Sequence, residues 1–179
     1  MTTDTIPSLT SLESLPYIDE KGQLPEQLQG KVGVYAIFDR ENLLQFVGYS
    51  RDVYLSLKQH LVRQPQHCYW VKVQTIDRPN RTILENIQNA WIAENGTTPS
   101  GNSADETKWT HSINVKPLMT AEEQANYEKA VDELAQSKLL KNVARRVEAE
   151  IIAELKNRGV QMEIRFNPKL KDSGLLDLK

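Results

Sequence analysis

Apolar and polar positions along the chain change period several times, and each change marks an element. Lys31 to Asp39 and Leu43 to Gly48 are short runs rich in valine, isoleucine, leucine and aromatic residues, the composition of pleated chain. Only Arg40, Glu41 and Asn42 separate them, so the two runs predict an antiparallel hairpin. Val53, Leu57 and Leu61 then recur at every fourth position. They predict an amphipathic helix capped by Ser50, running to about Arg63 and stopped by Pro65. Tyr69 to Ile76 predicts a third strand. Arg81 to Glu94 predicts a second helix with Leu84, Ile87, Trp91 and Ile92 inward, ended by Asn95 and Gly96. The stretch TTPSGNSADETKWTHS that follows has no period and reads as a loop carrying an exposed Trp109.

Beyond Pro117 the pattern becomes helical. Thr120 and Glu123 have capping-box spacing. Residues 121–157 predict one long helix or two, with a break near Gln136 and Ser137. Leu140, Val143, Val147, Ile151 and Leu155 form one apolar stripe. Residues 160–166, VQMEIRF, alternate as a strand does, and the tail KDSGLLDLK suggests a further short one. Residues 1–30 are polar and acidic. They read as an irregular arm with a helical turn near Pro25 to Leu28, leaning on the rest through Leu12, Leu15 and Tyr17.

The element order predicts an α+β fold, β-β-α-β-α, with a small three-stranded antiparallel sheet flanked by helices and a C-terminal helical extension ending in a strand. Three regions follow: an arm over 1–30, a domain over 31–112 and the extension over 117–179.

Composition narrows the function classes. The 179 residues are 39% hydrophobic and 26% charged, with a net charge of −2, so the whole molecule has no bulk attraction for nucleic acid or anionic membrane. The charge is uneven. Lys plus Arg against Asp plus Glu runs 1 to 5 over residues 1–30, 8 to 6 over 31–102 and 13 to 13 over 103–179. Only the central region has a cationic surplus. No apolar run approaches the roughly 20 residues that cross a bilayer, and the N-terminal stretch lacks the basic start and apolar centre of a secretory signal. A cytoplasmic location without membrane contact is the expectation. Cys68 is the single cysteine. It reads either as a small buried hydrophobe or as a thiol activated by neighbouring His67. The histidines His60, His67 and His111 lack zinc-site spacing with it.

The runs GVY at 33–35 and FVG at 46–48, the helix after them, the second helix and the segment PSGN at 99–102 together resemble the GIY-YIG nuclease superfamily. The resemblance covers about residues 31–102. It implies two tyrosines on neighbouring strands, an arginine and a histidine on the following helix, a metal-binding glutamate on the second helix and a closing asparagine. Tyr35 falls on the first tyrosine and Phe46 on the second, without its hydroxyl. Counting from Gly48, the eighth residue is Ser56, where the arginine is implied, and the twelfth is His60, which matches. Gln88 falls on the glutamate, and Asn102 on the asparagine. LQFVGYSR, the leucine after His60, Cys68 ahead of VKV and the PSGN segment are similar to the N-terminal domain of plastid CGFS-type monothiol glutaredoxins, a variant of that fold. A plastid or cyanobacterial lineage fits that similarity. No CGFS motif occurs in these residues, so glutaredoxin activity does not carry over.

The resemblance implies, for an active enzyme, a divalent-metal endonuclease using Mg²⁺ or Mn²⁺, and otherwise no cofactor. Neutral Gln88 is a poor ligand for a hard cation, and Ser56 cannot clamp a phosphate as arginine does. The expectation is a nuclease-like protein that binds nucleic acid, DNA foremost, with weak or lost cleavage. Glu85, one turn before Gln88, offers a replacement carboxylate. Arg51, Lys58 and Arg63 offer cations to a phosphate. The alternative is a non-catalytic module that binds a protein partner or a second copy through the C-terminal helices. Tyr35 reads equally as a half-buried strand residue, Phe46 as core, His60 as a polar helix residue and Asn102 as a turn cap.

Overall fold

A two-residue strand, β1 (Leu15–Pro16), precedes the hairpin of β2 (Val32–Phe38) and β3 (Leu44–Ser50). The hairpin register sets Tyr35 opposite Gly48 and Ile37 opposite Phe46. Asn42 takes a φ of 65° in the turn, a conformation asparagine tolerates better than most side chains. Helix α1 (Val53–Arg63) follows, then β4 (Trp70–Ile76) and helix α2 (Arg81–Asn95). The sheet order is β1-β4-β2-β3, antiparallel throughout. It therefore has four strands where the pattern predicts three. Leu15 and Pro16 pair with Val71 and Trp70, and a pair of residues is too short to display the alternation that reveals a strand.

This computed structural model describes residues 5–179, and they form two compact units that divide between Thr110 and His111. In the first unit the two faces of the sheet receive different helices. Side chains alternate between faces, and cross-strand partners share one. Tyr35, Ile37, Phe46 and Gly48 thus lie on one face. Val34, Ala36, Phe38, Val47 and Tyr49 lie on the other. The second face packs against Leu84, Ile87 and Trp91 of α2, with Leu9 from the arm, as the apolar core. The arm is anchored as expected. Tyr17 is fully buried and donates its hydroxyl to the Leu57 carbonyl of α1, and Trp91 donates its ring N–H to Pro7.

Two local expectations are corrected. Asp52, not Ser50, caps α1, its carboxylate accepting from the Leu55 amide. Ser50 ends β3 and accepts from the Asp52 amide. The unpatterned stretch after Gly96 contains a 3₁₀ turn (Ser100–Asn102) and a short helix α3 (Glu106–Thr110), and Trp109 on it is only 1% exposed.

The second unit pairs β5 (Ile113–Asn114) with β6 (Leu175–Leu176) beside helices α4 (Ala121–Lys129) and α5 (Glu133–Asn157). Thr120 and Glu123 form the reciprocal capping box that starts α4. The helices break at residues 130–132 rather than near Gln136, because Asp132 caps α5 by accepting from the Ala135 amide. All five residues of the predicted stripe are buried. Residues 160–166 are not a strand. Val160 and Phe166 are buried, but only an isolated bridge from Phe166 to Leu178 forms. The short strand expected in the tail KDSGLLDLK forms as the two-residue β6.

Candidate functional site

Tyr35 comes from the middle of β2 and His60 from the last turn of α1, and the two meet on the α1 face. The Tyr35 hydroxyl lies 2.7 Å from His60 Nε2, and both residues are buried. Gly48 makes this approach possible. A Cβ there would stand 2.7 Å from the Tyr35 hydroxyl oxygen and 2.6 Å from the Phe46 ring, inside any tolerable contact distance. The glycine of FVG is thus required by the tyrosine of GVY across the hairpin.

Burial dominates the electrostatics. It pushes the Tyr35 hydroxyl well above its ordinary value, against the smaller opposing pulls of Ser56 and the Arg63 charge. Burial, with the Arg63 charge adding to it, lowers the His60 pKa to about 3. At neutral pH the pair is therefore a phenol and a neutral imidazole. One hydrogen bond joins the phenol oxygen to Nε2, its direction set by the imidazole tautomer. Nδ1 has no partner in hydrogen-bond geometry. The Trp109 backbone lies near enough to favour the charged form slightly.

Aromatic rings close the space above the pair. Phe46 stacks on Trp109 with ring centres 5.3 Å apart and planes 1° from parallel. His60 lies 4.7 Å from Phe46 and 5.6 Å from Trp109, centre to centre. Gly101 lets this segment lie against β3, since a Cβ there would stand 2.5 Å from the Gln45 carbonyl oxygen and 3.0 Å from the Phe46 and Trp109 rings. Arg63 donates from Nη1 to the Trp109 carbonyl at 3.0 Å, so this cation secures the closing segment. Cys68 is buried and donates its thiol to the His60 carbonyl.

The remaining residues singled out in the sequence take other positions. The Asn102 side chain brackets Val47, accepting from its amide and donating to its carbonyl, each at 2.8 Å. Gln88 donates to the same carbonyl at 2.9 Å. Ser56 donates to Ser50 at 2.7 Å. Lys58 is half-buried on α1, and Arg51 is exposed just before it. Glu85 stands on α2, the helix of the opposite face. One of its carboxylate oxygens accepts from Arg81 Nε at 2.7 Å and from the Tyr49 hydroxyl at 3.1 Å. The Arg81 hydrogen bond holds the Glu85 carboxyl below its usual range, with Tyr49 adding to the effect.

The structure thus brings Tyr35, Phe46 and His60 together and leaves Glu85 elsewhere. It also sets Arg51, a cation singled out in the sequence, in a group whose other members pattern reading did not bring together. Tyr49, Ser50 and Arg51 at the end of β3 face Pro79, Asn80, Arg81 and Leu84 across an open cavity of about 390 Å³. The four-residue spacing of Arg81 and Glu85 was a legible signal of their ion pair. The role of Tyr49 depends on the sheet face it occupies. The cover provided by Trp109 had no periodic signal at all.

No protein-family model matches the chain. Over 103 residues it is 37% identical to the bifunctional monothiol glutaredoxin-S16, chloroplastic, of Arabidopsis thaliana. The aligned stretch covers 55% of this chain, and the chain spans about a third (33%) of that protein's length.

Proposed function

We propose that the first unit is a GIY-YIG-like module that binds nucleic acid and does not cleave it at Tyr35. The observation that carries this reading is the closure of the Tyr35–His60 pair beneath Phe46 and Trp109. A tyrosine that orients or activates water must meet water and a scissile phosphate, and Tyr35 is 3% exposed. Its raised pKa opposes any role as a base. The divalent metal that the resemblance implies does not fit these donors. The Gln88 amide is spent on a backbone carbonyl, the Glu85 carboxylate is held by Arg81 and Tyr49, and no group of three acidic, histidine or cysteine side chains suited to a metal occurs among the described residues. Nucleic-acid binding is supported by the cationic surplus of residues 31–102, by exposed Arg51 and by the open cavity beside it.

The alternative, docking through the C-terminal helices, would have to use the exposed apolar residues Val131, Leu134 and Ile152. The apolar stripe of α5 is buried within the chain. A plasmid-nicking assay with Mg²⁺ or Mn²⁺ tests the reading. Wild type, Tyr35→Phe and Glu85→Gln are expected to show equal background nicking. Metal-stimulated nicking by wild type that disappears in Tyr35→Phe would overturn it.

A further inference from the structure

The open cavity at the end of β3 combines features that the closed Tyr35 site lacks. Its walls come from two elements far apart in sequence, and each contributes an arginine to the mouth: Arg51 after β3 and Arg81 in the first turn of α2. Arg51 is exposed, and no hydrogen bond or ion pair engages its side chain among the described residues. Glu85 engages Arg81 through Nε. The terminal nitrogens, the fork that matches two phosphate oxygens, are not consumed by that ion pair. Tyr49 donates to Glu85 on the same side, so the carboxylate that fixes Arg81 is itself fixed.

A larger open groove of about 970 Å³ adjoins this cavity, and both are lined by Pro79 and Asn80. Arg78 lines the larger groove, with Asp77 the acid beside it and Gln74, Thr82 and Asn86 as polar walls. Three arginines therefore succeed one another across the Pro79–Asn80 junction, opposed by Asp77 and Glu85. Cations spaced along a groove suit a polymeric anion better than a single small one.

Building on the nucleic-acid reading above, we propose that the Tyr49–Arg51–Arg81 cavity holds a backbone phosphate of bound nucleic acid. The neighbouring groove at Arg78 carries the strand onward. Arg51 and Arg81 grip the phosphate oxygens, Glu85 orients Arg81, and no bond is made or broken.

The test is fluorescence anisotropy of the full chain with labelled oligonucleotides, single-stranded and duplex, from 50 to 200 mM salt, a range in which phosphate contacts lose much of their strength. Arg51→Ala and Arg81→Ala are each expected to weaken binding about tenfold at low salt. Each should also flatten the plot of log affinity against log salt, by about 0.9 for duplex or 0.7 for single strands. Arg81→Lys restores charge without the fork and should recover only part of the affinity. Lys108→Ala, which changes an exposed cation outside the cavity, should bind as wild type does. The altered arginines are exposed, so unchanged thermal midpoints are expected to accompany the loss. Wild-type binding with unchanged affinity and salt slope in both arginine variants would overturn the cavity assignment and leave the nucleic-acid reading standing. Competition by polyglutamate as effective as unlabelled oligonucleotide would overturn the assignment to a phosphate. Absence of wild-type binding to every oligonucleotide would remove the nucleic-acid reading and the cavity with it.

Discussion

Tyr35 and Tyr49 stand on adjacent strands of one hairpin, and each is hydrogen-bonded to a titratable side chain. Tyr35 meets His60 on the face covered by α1, under two stacked rings. Tyr49 meets Glu85 at the α2 side, beside an open cavity. Desolvation rules the first pair and drives both partners toward their neutral forms. The second pair keeps its carboxylate charged through a neighbouring guanidinium. A tyrosine with a polar partner is therefore not in itself a reactive centre. Access and dielectric decide what the pair can do, and here one pair is buried and neutral while the other is solvated and charged.

Three substitutions separate the two pairs, with expected effects of decreasing size. The largest effect is expected from Trp109→Ala, which removes the cover of the closed pair. Loss of a buried tryptophan costs about 3–5 kcal/mol, measured by urea unfolding at neutral pH. A loss below about 1 kcal/mol would show that the segment is not packed onto the site. The next effect concerns acid. With His60 lowered to about 3 from an unfolded value of 6.5, the unfolded chain binds more protons between these limits. The stability from a neutral His60 is therefore complete above pH 6.5 and is lost as pH falls toward 3. The slope is about 1.4 kcal/mol per pH unit, or about 2 kcal/mol by pH 5. Comparing unfolding midpoints at pH 7 and pH 5 for wild type and His60→Leu isolates it. Equal acid losses in both proteins would refute the buried neutral imidazole. The smallest effect is expected at the open pair. Glu85→Gln should leave the neutral-pH urea midpoint unchanged within error, because the carboxylate is solvated. A clear destabilisation there would erase the contrast between the two tyrosines.

Much of the closed pair was legible in the sequence. The spacing from Gly48 to His60 put a histidine on the helix face that meets the hairpin, and the GVY and FVG runs put Tyr35 across from Gly48. The hairpin, the two helices after it and the capping box at Thr120 have strong local signals, and each formed. The misses share a cause. Leu15–Pro16 became a strand by pairing with β4. Trp109 became buried because Gly101 and Phe46 leave room for its ring. Residues 160–166 alternate convincingly, yet no long strand lies beside them. Each outcome is decided by a partner distant in sequence, which local periodicity cannot register. Ser50 and Asp52 are a different case, two capping residues so close together that local backbone geometry chose between them.

Val47 shows how the border of the sheet is covered. It sits on β3, the outermost long strand of the sheet. An edge of this kind is where a foreign strand could extend the sheet, as in aggregation or in capture of an extended peptide. Asn102 occupies both the amide and the carbonyl of Val47, and Gln88 shares the carbonyl. A strand arriving there would have to displace two side-chain amides before gaining its first ladder bonds. Asn102 and Gln88 thus blunt this border of the sheet at Val47, where an added strand would otherwise find a bare amide and carbonyl.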